Sequence, residues 1–263
     1  MKSIDVALRI DIDTVKDAEM VPLVIELLDG FRICGTFFVT TGVDNTYKNF
    51  RNNLNPLQLR GKISRYGVRQ MFRGLISREH VERTKALTVL VNSKHEVGLH
   101  GHDHFDWMNH LDSMSRDTIR DHFEMGIRLF EEEFGAPPRS FASPGFKVND
   151  LSLEIMESFD FTYASDFLGS EVSHNGTLQI PVALPSIGEM KTTHSDTEIM
   201  TEYSETLNSA REFVVFYIHP SQELVFDLEM VKKLLYSIKD NEKFNPVTMS
   251  DIAENYRSGS SRS

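Results

Sequence analysis

Residues 4–13 alternate strictly between apolar side chains and mainly polar ones, the pattern of a β-strand with two unlike faces. An apolar stretch with helical periodicity follows over residues 20–29 and ends at Gly30, and a β-rich run covers residues 35–42. This strand–helix–strand opening predicts an α/β protein with parallel strands. The apolar face of the first strand carries Ile4, Val6, Leu8, Ile10 and Ile12, and the other face carries Asp5, Ala7, Arg9, Asp11 and Asp13.

Further strand-like runs alternate with helical stretches along the rest of the chain. The clearest helix is predicted from about Ser115 to Phe134, where apolar residues recur every three or four positions until Gly135 stops it. Because no internal repeat or interior linker is visible, residues 1–256 are predicted to form one domain, followed by a disordered tail over 257–263. The later strand candidates are residues 96–100, 140–145, 161–165, 178–184 and 213–219.

Residues 43–78 form a basic segment with a single acid, Asp44. Apolar residues at helical spacing occur within it, and Arg65, Arg69 and Arg73 form a stripe beside them. An apolar helical face edged by arginines is typical of a surface helix that contacts anionic lipid. The alternative is a helical lid packed on the body of the protein with its arginines in solvent. Both interpretations of this basic helical insertion are open.

Composition narrows the class of protein. A length of 263 residues is normal for a single α/β barrel, and the net charge of −11 argues against nucleic acid as a partner, because phosphate binding needs positive potential. The single cysteine, Cys34, excludes an intrachain disulfide and a cysteine-based zinc site. No apolar run approaches about 18 residues, and Asp5 and Arg9 interrupt the apolar run that a signal peptide would need, so a cytoplasmic location is expected.

Candidate chemistry lies at the ends of predicted strands. Asp11 and Asp13 are two residues apart on a strand, so their carboxylates point the same way, although such a pair alone is more often an exposed strand face. Five of the ten histidines lie between His95 and His110. Metal binding explains this crowding, because neutral imidazole is a common ligand. His219 ends a very apolar strand; its simplest alternative is a buried core histidine.

Two arrangements of the clustered histidines are open. If residues 100–104 continue as a strand, His100, His102 and His104 share a face and make a three-histidine site. If the chain turns helically after the strand, His100 and His104 align and His102 points elsewhere. The glycine and aspartate between them favour the turn. The predicted set is therefore the His100/His104 pair with a carboxylate of the first strand, which leaves positions open for water and substrate, as in catalytic sites.

In a parallel α/β barrel, polar residues at the carboxyl ends of strands lie where active sites are built. Asp11, Asp13, His100 and His219 occupy such strand ends in this order. With these residues the chain resembles the polysaccharide deacetylase superfamily, also called the NodB-homology or carbohydrate esterase family 4 fold. The resemblance implies a distorted (β/α)7 barrel with five short motifs in fixed order. These motifs are matched by Asp11-Ile12-Asp13, His100 with His104, residues 141–147, residues 163–166, and Ile218-His219.

The resemblance also implies roles for individual residues. Asp11 would be the catalytic base and His219 the acid that protonates the leaving amine, with Asp166 and Lys147 orienting and tuning this pair. One divalent ion is expected as cofactor, zinc first and cobalt, manganese or nickel as alternatives. A backbone N–H near Phe146 is expected to stabilise the oxyanion. The expected metal ligands are Asp13, His100 and His104, and the expected substrate-binding residues are Phe146, Tyr163, Arg65, Arg69 and Arg73.

Two departures from the family pattern concern specificity. Ala142 occupies the place of the usual arginine of the third motif, and the basic residue nearby is Lys147, which could pair with Asp11 or Asp166 but without the bidentate geometry of arginine. Tyr163 replaces the common tryptophan of the fourth motif. Both departures weaken the expectation of a polymer deacetylase and leave the metal site intact.

Within the family, the resemblance is strongest to the branch that deformylates undecaprenyl-phosphate-linked formamido-arabinose in lipid A modification. Residues 8–14, 95–100 and 217–223 carry it, and the insertion after Asn45 lies where that branch has its lipid-side insertion. A related branch deacetylates undecaprenyl-phosphate-linked N-acetylhexosamine. The resemblance therefore implies a formyl or acetyl hydrolase acting on an undecaprenyl-phosphate-linked amino sugar, peripheral at the inner face of the cytoplasmic membrane, with the anionic membrane surface as a partner.

Two kinds of alternative remain. One is a soluble enzyme of the same fold, either a chito-oligosaccharide or peptidoglycan-type deacetylase or a hydrolase of small cyclic amides. The other is an inactive carbohydrate-binding barrel. The presence of all the acid–base and ligand residues argues against an inactive barrel. Binding of anionic liposomes through the basic insertion would discriminate a lipid-linked substrate from a soluble one.

Overall fold

The structure, a computed structural model, describes residues 3–45 and 78–260. Within this part of the chain, no helix has both the length and the apolar composition needed to cross a bilayer. The basic insertion predicted over residues 43–78 lies almost wholly outside the described residues, and so do Arg65, Arg69 and Arg73.

Strands and helices alternate along most of the described chain. The strands are β1 Ile4–Ile12, β2 Gly35–Thr41, β3 Glu96–His102, β4 Ser140–Phe141, β5 Tyr163–Ala164, β6 Ser173–Asn175, β7 Thr177–Gln179, β8 Phe213–Ile218 and β9 Phe244–Val247. The helices are α1 Val15–Phe31, α2 His104–His110, α3 Arg116–Phe134, α4 Asp150–Met156, α5 Ile187–Met190, α6 Asp196–Ser209, α7 Pro220–Phe226, α8 Leu228–Lys239 and α9 Met249–Ser260. Short 3-10 turns lie at Lys85–Val89, Leu111–Ser113 and Pro144–Phe146.

All these strands belong to one sheet, in the order β6-β7-β5-β4-β3-β2-β1-β8. The pairs are parallel except for the β6–β7 hairpin. β9 pairs with residues 4–7 at the start of β1, whereas β2 pairs with residues 8–12. Parallel strands joined through helices confirm the predicted α/β class.

The chain that follows β7 curls the sheet towards closure. On one side, the N–H of Ile180 donates to the carbonyl of Ala164 beside β5 at 2.9 Å. On the other side, the N–H of Ala183 donates to the carbonyl of Val215 in β8 at 2.8 Å. In the described part of the chain, β1, β2, β3, β4, β5, β7 and β8 thus form a curled, mainly parallel sheet whose two edges approach through residues 180–183, in agreement with the expected distorted barrel.

The two faces of β1 have different surroundings, as its alternating pattern predicts. Ala7, Arg9 and Asp11 point into the barrel, where all three are buried. The other face packs on helices α1, α6 and α8, and its burial contributes about 1.5–3 kcal/mol for each large apolar side chain. That face consists of Ile4, Val6, Leu8, Ile10 and Ile12.

The helix predicted near residue 115 is confirmed, with Ser115 as its N-cap and Gly135 in the left-handed region after it. The end of α1 differs from the prediction. Helix α1 continues past Gly30 to Phe31, and the left-handed residue is Arg32, whose N–H bonds to carbonyls of the last turn. The prediction based on Gly30 therefore ended the helix slightly too early.

The C-terminal boundary also differs from the prediction. A disordered tail was expected over 257–263, but α9 continues to Ser260. Ile252 and Ala253 bury one face of this helix, and Arg257 donates a hydrogen bond to the carbonyl of Thr162. These contacts hold the last turn of α9 against the barrel.

Candidate active site

Asp13 lies just after β1, and three imidazoles surround its carboxylate. Oδ1 is 3.1 Å from Nε2 of His100, while Oδ2 is 3.4 Å from Nε2 of His104 and 3.6 Å from Nε2 of His219. Burial alone would raise the pKa of Asp13, but the nearby histidines outweigh it and hold the pKa well below its usual range. Asp13, His100 and His104 each offer one possible ligand atom, and these three atoms lie within 4.8 Å of one another.

A left-handed bend brings His100 and His104 together. Gly101 has a φ of +69°, and a Cβ there would lie 2.9 Å from the ring of Pro144. Asp103 has a φ of +46° and caps α2, which begins at His104. The predicted pairing is therefore found, but the predicted helical turn directly after the strand was wrong, because β3 continues two residues past His100.

His102, the extra member of the three-histidine alternative, faces away from this cluster. Its Nδ1 lies 3.3 Å from Oγ1 of Thr41, and its ring packs edge-on against His122 at 5.7 Å between centroids. Burial lowers the pKa of His102 to about 4, with the His122 charge adding to the effect, so the ring is neutral near pH 7. The geometry thus favours the set with a carboxylate over three histidines.

The donor atoms of the cluster fit a divalent cation. Nδ1 of His100 is 2.9 Å from the carbonyl oxygen of Ala142, which can only accept, so Nδ1 carries the proton. The lone pair on Nε2 of a neutral His100 then faces Oδ1 of Asp13, a buried oxygen without a hydrogen-bond donor among the described residues. A divalent cation placed between these two atoms would satisfy both of them. Burial lowers the pKa of His104, which keeps this second imidazole neutral and able to bind metal.

Asp11 lies beside this cluster on the interior face of β1 and is held by Arg9. Nε of Arg9 is 2.6 Å from Oδ1 of Asp11, and Nη2 is 2.7 Å from Oδ2. Oδ2 is also 3.9 Å from Nε2 of His100. The sequence analysis missed Arg9, although its position two residues before Asp11 on the same strand face was a usable signal.

The expected pairing of Lys147 with Asp11 or Asp166 is not found. Nζ of Lys147 is 2.6 Å from Oδ2 of Asp112, on the protein surface. Two successive residues with positive φ, Gly145 and Phe146, turn the chain just before Lys147 and direct it outward. The structure therefore corrects the orienting role predicted for this lysine.

Asp166 connects the third and fourth motifs rather than touching the metal ligands. Its Oδ1 accepts the N–H of Ser143 at 2.7 Å, and its Oδ2 accepts Nε2 of Gln179 at 2.9 Å. Burial raises the pKa of this carboxyl, and the two donors partly offset that effect. Asp166 thus fixes the loop after β4 against β7, an indirect way of orienting the site.

Phe146 lies over the guanidinium of Arg9, with 4.6 Å from Cζ to the ring centroid, and packs edge-on against Tyr217 at 5.2 Å. Its own N–H donates to the carbonyl of Ser143 at 3.2 Å. The oxyanion donor expected near this residue is therefore already engaged in a turn. Phe146 is half-buried.

Tyr163, predicted to bind substrate, is buried inside the barrel. Its hydroxyl donates to Oε1 of Glu96, the first residue of β3, at 2.7 Å. Glu96 also accepts from Ser140, Thr36 and the N–H of Ser250, so this network closes the amino-terminal end of the barrel. The substrate-binding prediction was wrong, because the side chain points away from the carboxyl ends of the strands where the catalytic residues lie.

Replacing Tyr163 by phenylalanine should therefore lower stability without changing turnover. Glu96 would lose one of its donors in a buried network, and the free energy of unfolding should fall by about 1 kcal/mol. Urea unfolding and steady-state kinetics on the same preparation measure both effects. A fall in kcat/KM with unchanged stability would restore Tyr163 to the substrate site.

His219 follows β8, and Glu223 holds it from one helical turn further on. Oε2 of Glu223 accepts the backbone N–H of His219 at 2.7 Å and lies 4.0 Å from its Nδ1, while Oε1 accepts the N–H of Gly188 at 2.8 Å. Burial alone would lower the pKa of His219, but the charges of Asp13 and Glu223 outweigh it and raise the pKa. The fully buried Glu223 is a second residue that the sequence analysis missed.

Comparisons with known proteins bear on this geometry. The chain matches the polysaccharide deacetylase family model over residues 2–164. A protein of Wigglesworthia glossinidia brevipalpis is 32% identical over 186 residues, which span 65% of this chain and 65% of that relative. A protein of Shewanella sediminis is 28% identical over 250 residues, or 90% of this chain and 82% of that relative. Both are named as 4-deoxy-4-formamido-L-arabinose-phosphoundecaprenol deformylase ArnD.

Solved structures agree with the architecture. The crystal structure of a polysaccharide deacetylase from Mycobacterium smegmatis superposes with a TM-score of 0.66, covering 98% of this chain and 92% of that chain. The sequence identity is 18%, so this likeness concerns the fold alone. The described barrel is thus an architecture found in crystal structures.

Proposed function

The chain belongs to the polysaccharide deacetylase family, and from this premise we propose that it is a metal-dependent hydrolase that removes a formyl or acetyl group from an undecaprenyl-phosphate-linked amino sugar. The observation that carries the proposal is the cluster of Asp13, His100 and His104, with Asp11 and His219 beside it. The names of the two relatives support the lipid-linked substrate and favour formyl.

The proposed mechanism assigns one step to each residue of the acid–base pair. Asp13, His100 and His104 would hold a divalent ion, which would supply Lewis-acid polarisation of the amide carbonyl and acidification of water. Asp11, held in place beside His100, accepts the proton of the attacking water. The water oxygen bonds to the acyl carbon, and the bond between that carbon and the sugar nitrogen then breaks.

His219 completes the reaction by protonating the departing nitrogen. An amine anion is a very poor leaving group, so this proton must arrive as the C–N bond breaks. Burial lowers the pKa of His219, but the Glu223 carboxylate raises it and so favours the protonated imidazole that this step needs. The products are formate or acetate and a free amino sugar that is still attached to its lipid.

The proposed substrate carries a long isoprenoid, so the enzyme would work at a membrane surface. We propose a peripheral position at the cytoplasmic face, in the modification of lipid A or related envelope glycans. Arg65, Arg69 and Arg73 support contact with anionic lipid by their charge and spacing. Co-sedimentation with anionic vesicles that disappears on deletion of residues 50–76 tests this part separately.

Mass spectrometry of lipid-linked sugars after incubation tests the proposal directly. Undecaprenyl-phosphate formamido-arabinose and undecaprenyl-phosphate N-acetylhexosamine would be supplied in vesicles, with zinc, cobalt, manganese or nickel added. We expect loss of formyl from the first or acetyl from the second, and no loss with chelator present. Conversion of soluble chito-oligosaccharide but neither lipid would establish the soluble alternative, and no conversion of any substrate would contradict the proposal.

A further inference from the structure

We propose that Arg9 is the positioning residue for the catalytic base, holding the Asp11 carboxylate against the metal ligands from within the same strand. This inference rests on the proposed function. It assigns to β1 the role for which the sequence analysis considered Lys147, and it explains why Ala142 can stand where the family pattern has an arginine.

The contacts of Arg9 leave its guanidinium one orientation. Nε and Nη2 make a bidentate pair with the two oxygens of Asp11, at 2.6 and 2.7 Å. Nη1 donates to the carbonyl oxygen of Ser165 at 2.6 Å and to its Oγ at 3.1 Å. A planar fork held at both ends fixes the plane of the carboxylate it binds, which a lysine ammonium does not do.

Three aromatic rings pack around the same group. Cζ of Arg9 lies 4.6 Å from the centroid of Phe146, 5.2 Å from that of Phe38 and 5.8 Å from that of Tyr217. Arg9 is fully buried, so these rings replace water around the cation. Asp11 is 2% exposed, and Arg9 forms hydrogen bonds with both oxygens of its carboxylate.

Packing explains the alanine in the third motif. Ala142 belongs to the same buried cluster as Phe38 and Tyr217, two of the rings that surround Arg9. Position 142 therefore lies in the buried interior that also holds the rings around Arg9. Lys147, the other nearby cation, is bound to Asp112. The guanidinium thus reaches Asp11 from β1 rather than from β4.

Substituting Arg9 by lysine tests the inference, because lysine keeps the charge and loses the fork. We expect kcat to fall by about 10²-fold, the typical cost of a misplaced catalytic group, with KM and zinc binding close to wild type. Guanidinium ion added to Arg9→Ala should restore part of kcat, while sodium at equal ionic strength should not. Arg139→Lys, in the exposed pair with Asp160, is the matched control.

The same variant also provides a readout that does not depend on activity. A crystal structure of zinc-loaded Arg9→Lys should show the Asp11 carboxylate rotated from its wild-type orientation or split between orientations. Wild-type kcat per zinc-loaded chain, or an unmoved carboxylate, would reduce Arg9 to a purely structural residue and overturn the inference. If the wild-type protein itself converts no substrate, the proposed function fails, and the orientation of Asp11 still decides the role of Arg9.

Discussion

Replacing Asp13 by alanine should remove metal binding and lower kcat/KM by at least about 10³-fold, because Lewis-acid stabilisation contributes several kcal/mol. Asp13 is the one carboxylate of the cluster formed with His100 and His104, and its oxygens face both imidazoles. Metal content per chain, measured by mass spectrometry after dialysis, and steady-state kinetics give the two quantities.

Thermal unfolding with and without zinc tests independently whether Asp13 binds the metal. Zinc at about 1,000 times its Kd should stabilise the wild-type protein by about 4 kcal/mol and leave Asp13→Ala unaffected. Asp160→Ala is the control, since that carboxylate is 95% exposed and pairs with Arg139. Unchanged metal content in Asp13→Ala would contradict the ligand assignment, whatever happened to turnover.

Replacing His219 by alanine should have the second large effect, a loss of about 10²- to 10⁴-fold in kcat with metal content unchanged. The reason is that His219 approaches Oδ2 of Asp13 at 3.6 Å but lies outside the cluster of ligand atoms. His194→Ala, at an exposed histidine, should match the wild type in both measurements. Loss of the ion from His219→Ala would make this residue a ligand rather than the acid.

The pH profile distinguishes this acid from a merely structural histidine. Only protonated His219 can donate, so kcat should fall as pH rises through its pKa. Burial lowers that pKa and the Glu223 carboxylate raises it, so Glu223→Gln should move the alkaline limb to lower pH. An unmoved limb would mean that another group supplies the proton.

Local periodicity was sufficient for the parts of the site that lie on one strand. The alternation over residues 4–13 correctly separated the helix-facing side of β1 from the interior side that carries Asp11. The crowding of histidines led to His100 and His104, although the bend that joins them was not predicted. Their approach depends on two left-handed residues, which sequence periodicity does not encode.

Contacts between residues far apart in the chain could not be predicted from the sequence. Lys147 was considered as a partner of Asp11 or Asp166 in place of the missing arginine, but backbone turns at the preceding residues direct it to Asp112. Tyr163 was placed in the substrate site by motif position, whereas its hydroxyl reaches Glu96 at the other end of the barrel. Side-chain direction in these cases follows from tertiary packing, not from motif order.

The hydrogen bond between His100 and the carbonyl of Ala142 has a consequence for metal supply in the cell. It orients one imidazole through a contact that involves no metal. A divalent ion bound there would have nitrogen and oxygen ligands, for which affinities follow the general order of the metals. The working ion would therefore be set mainly by which metal the cell makes available, and one protein could carry different ions under different growth conditions.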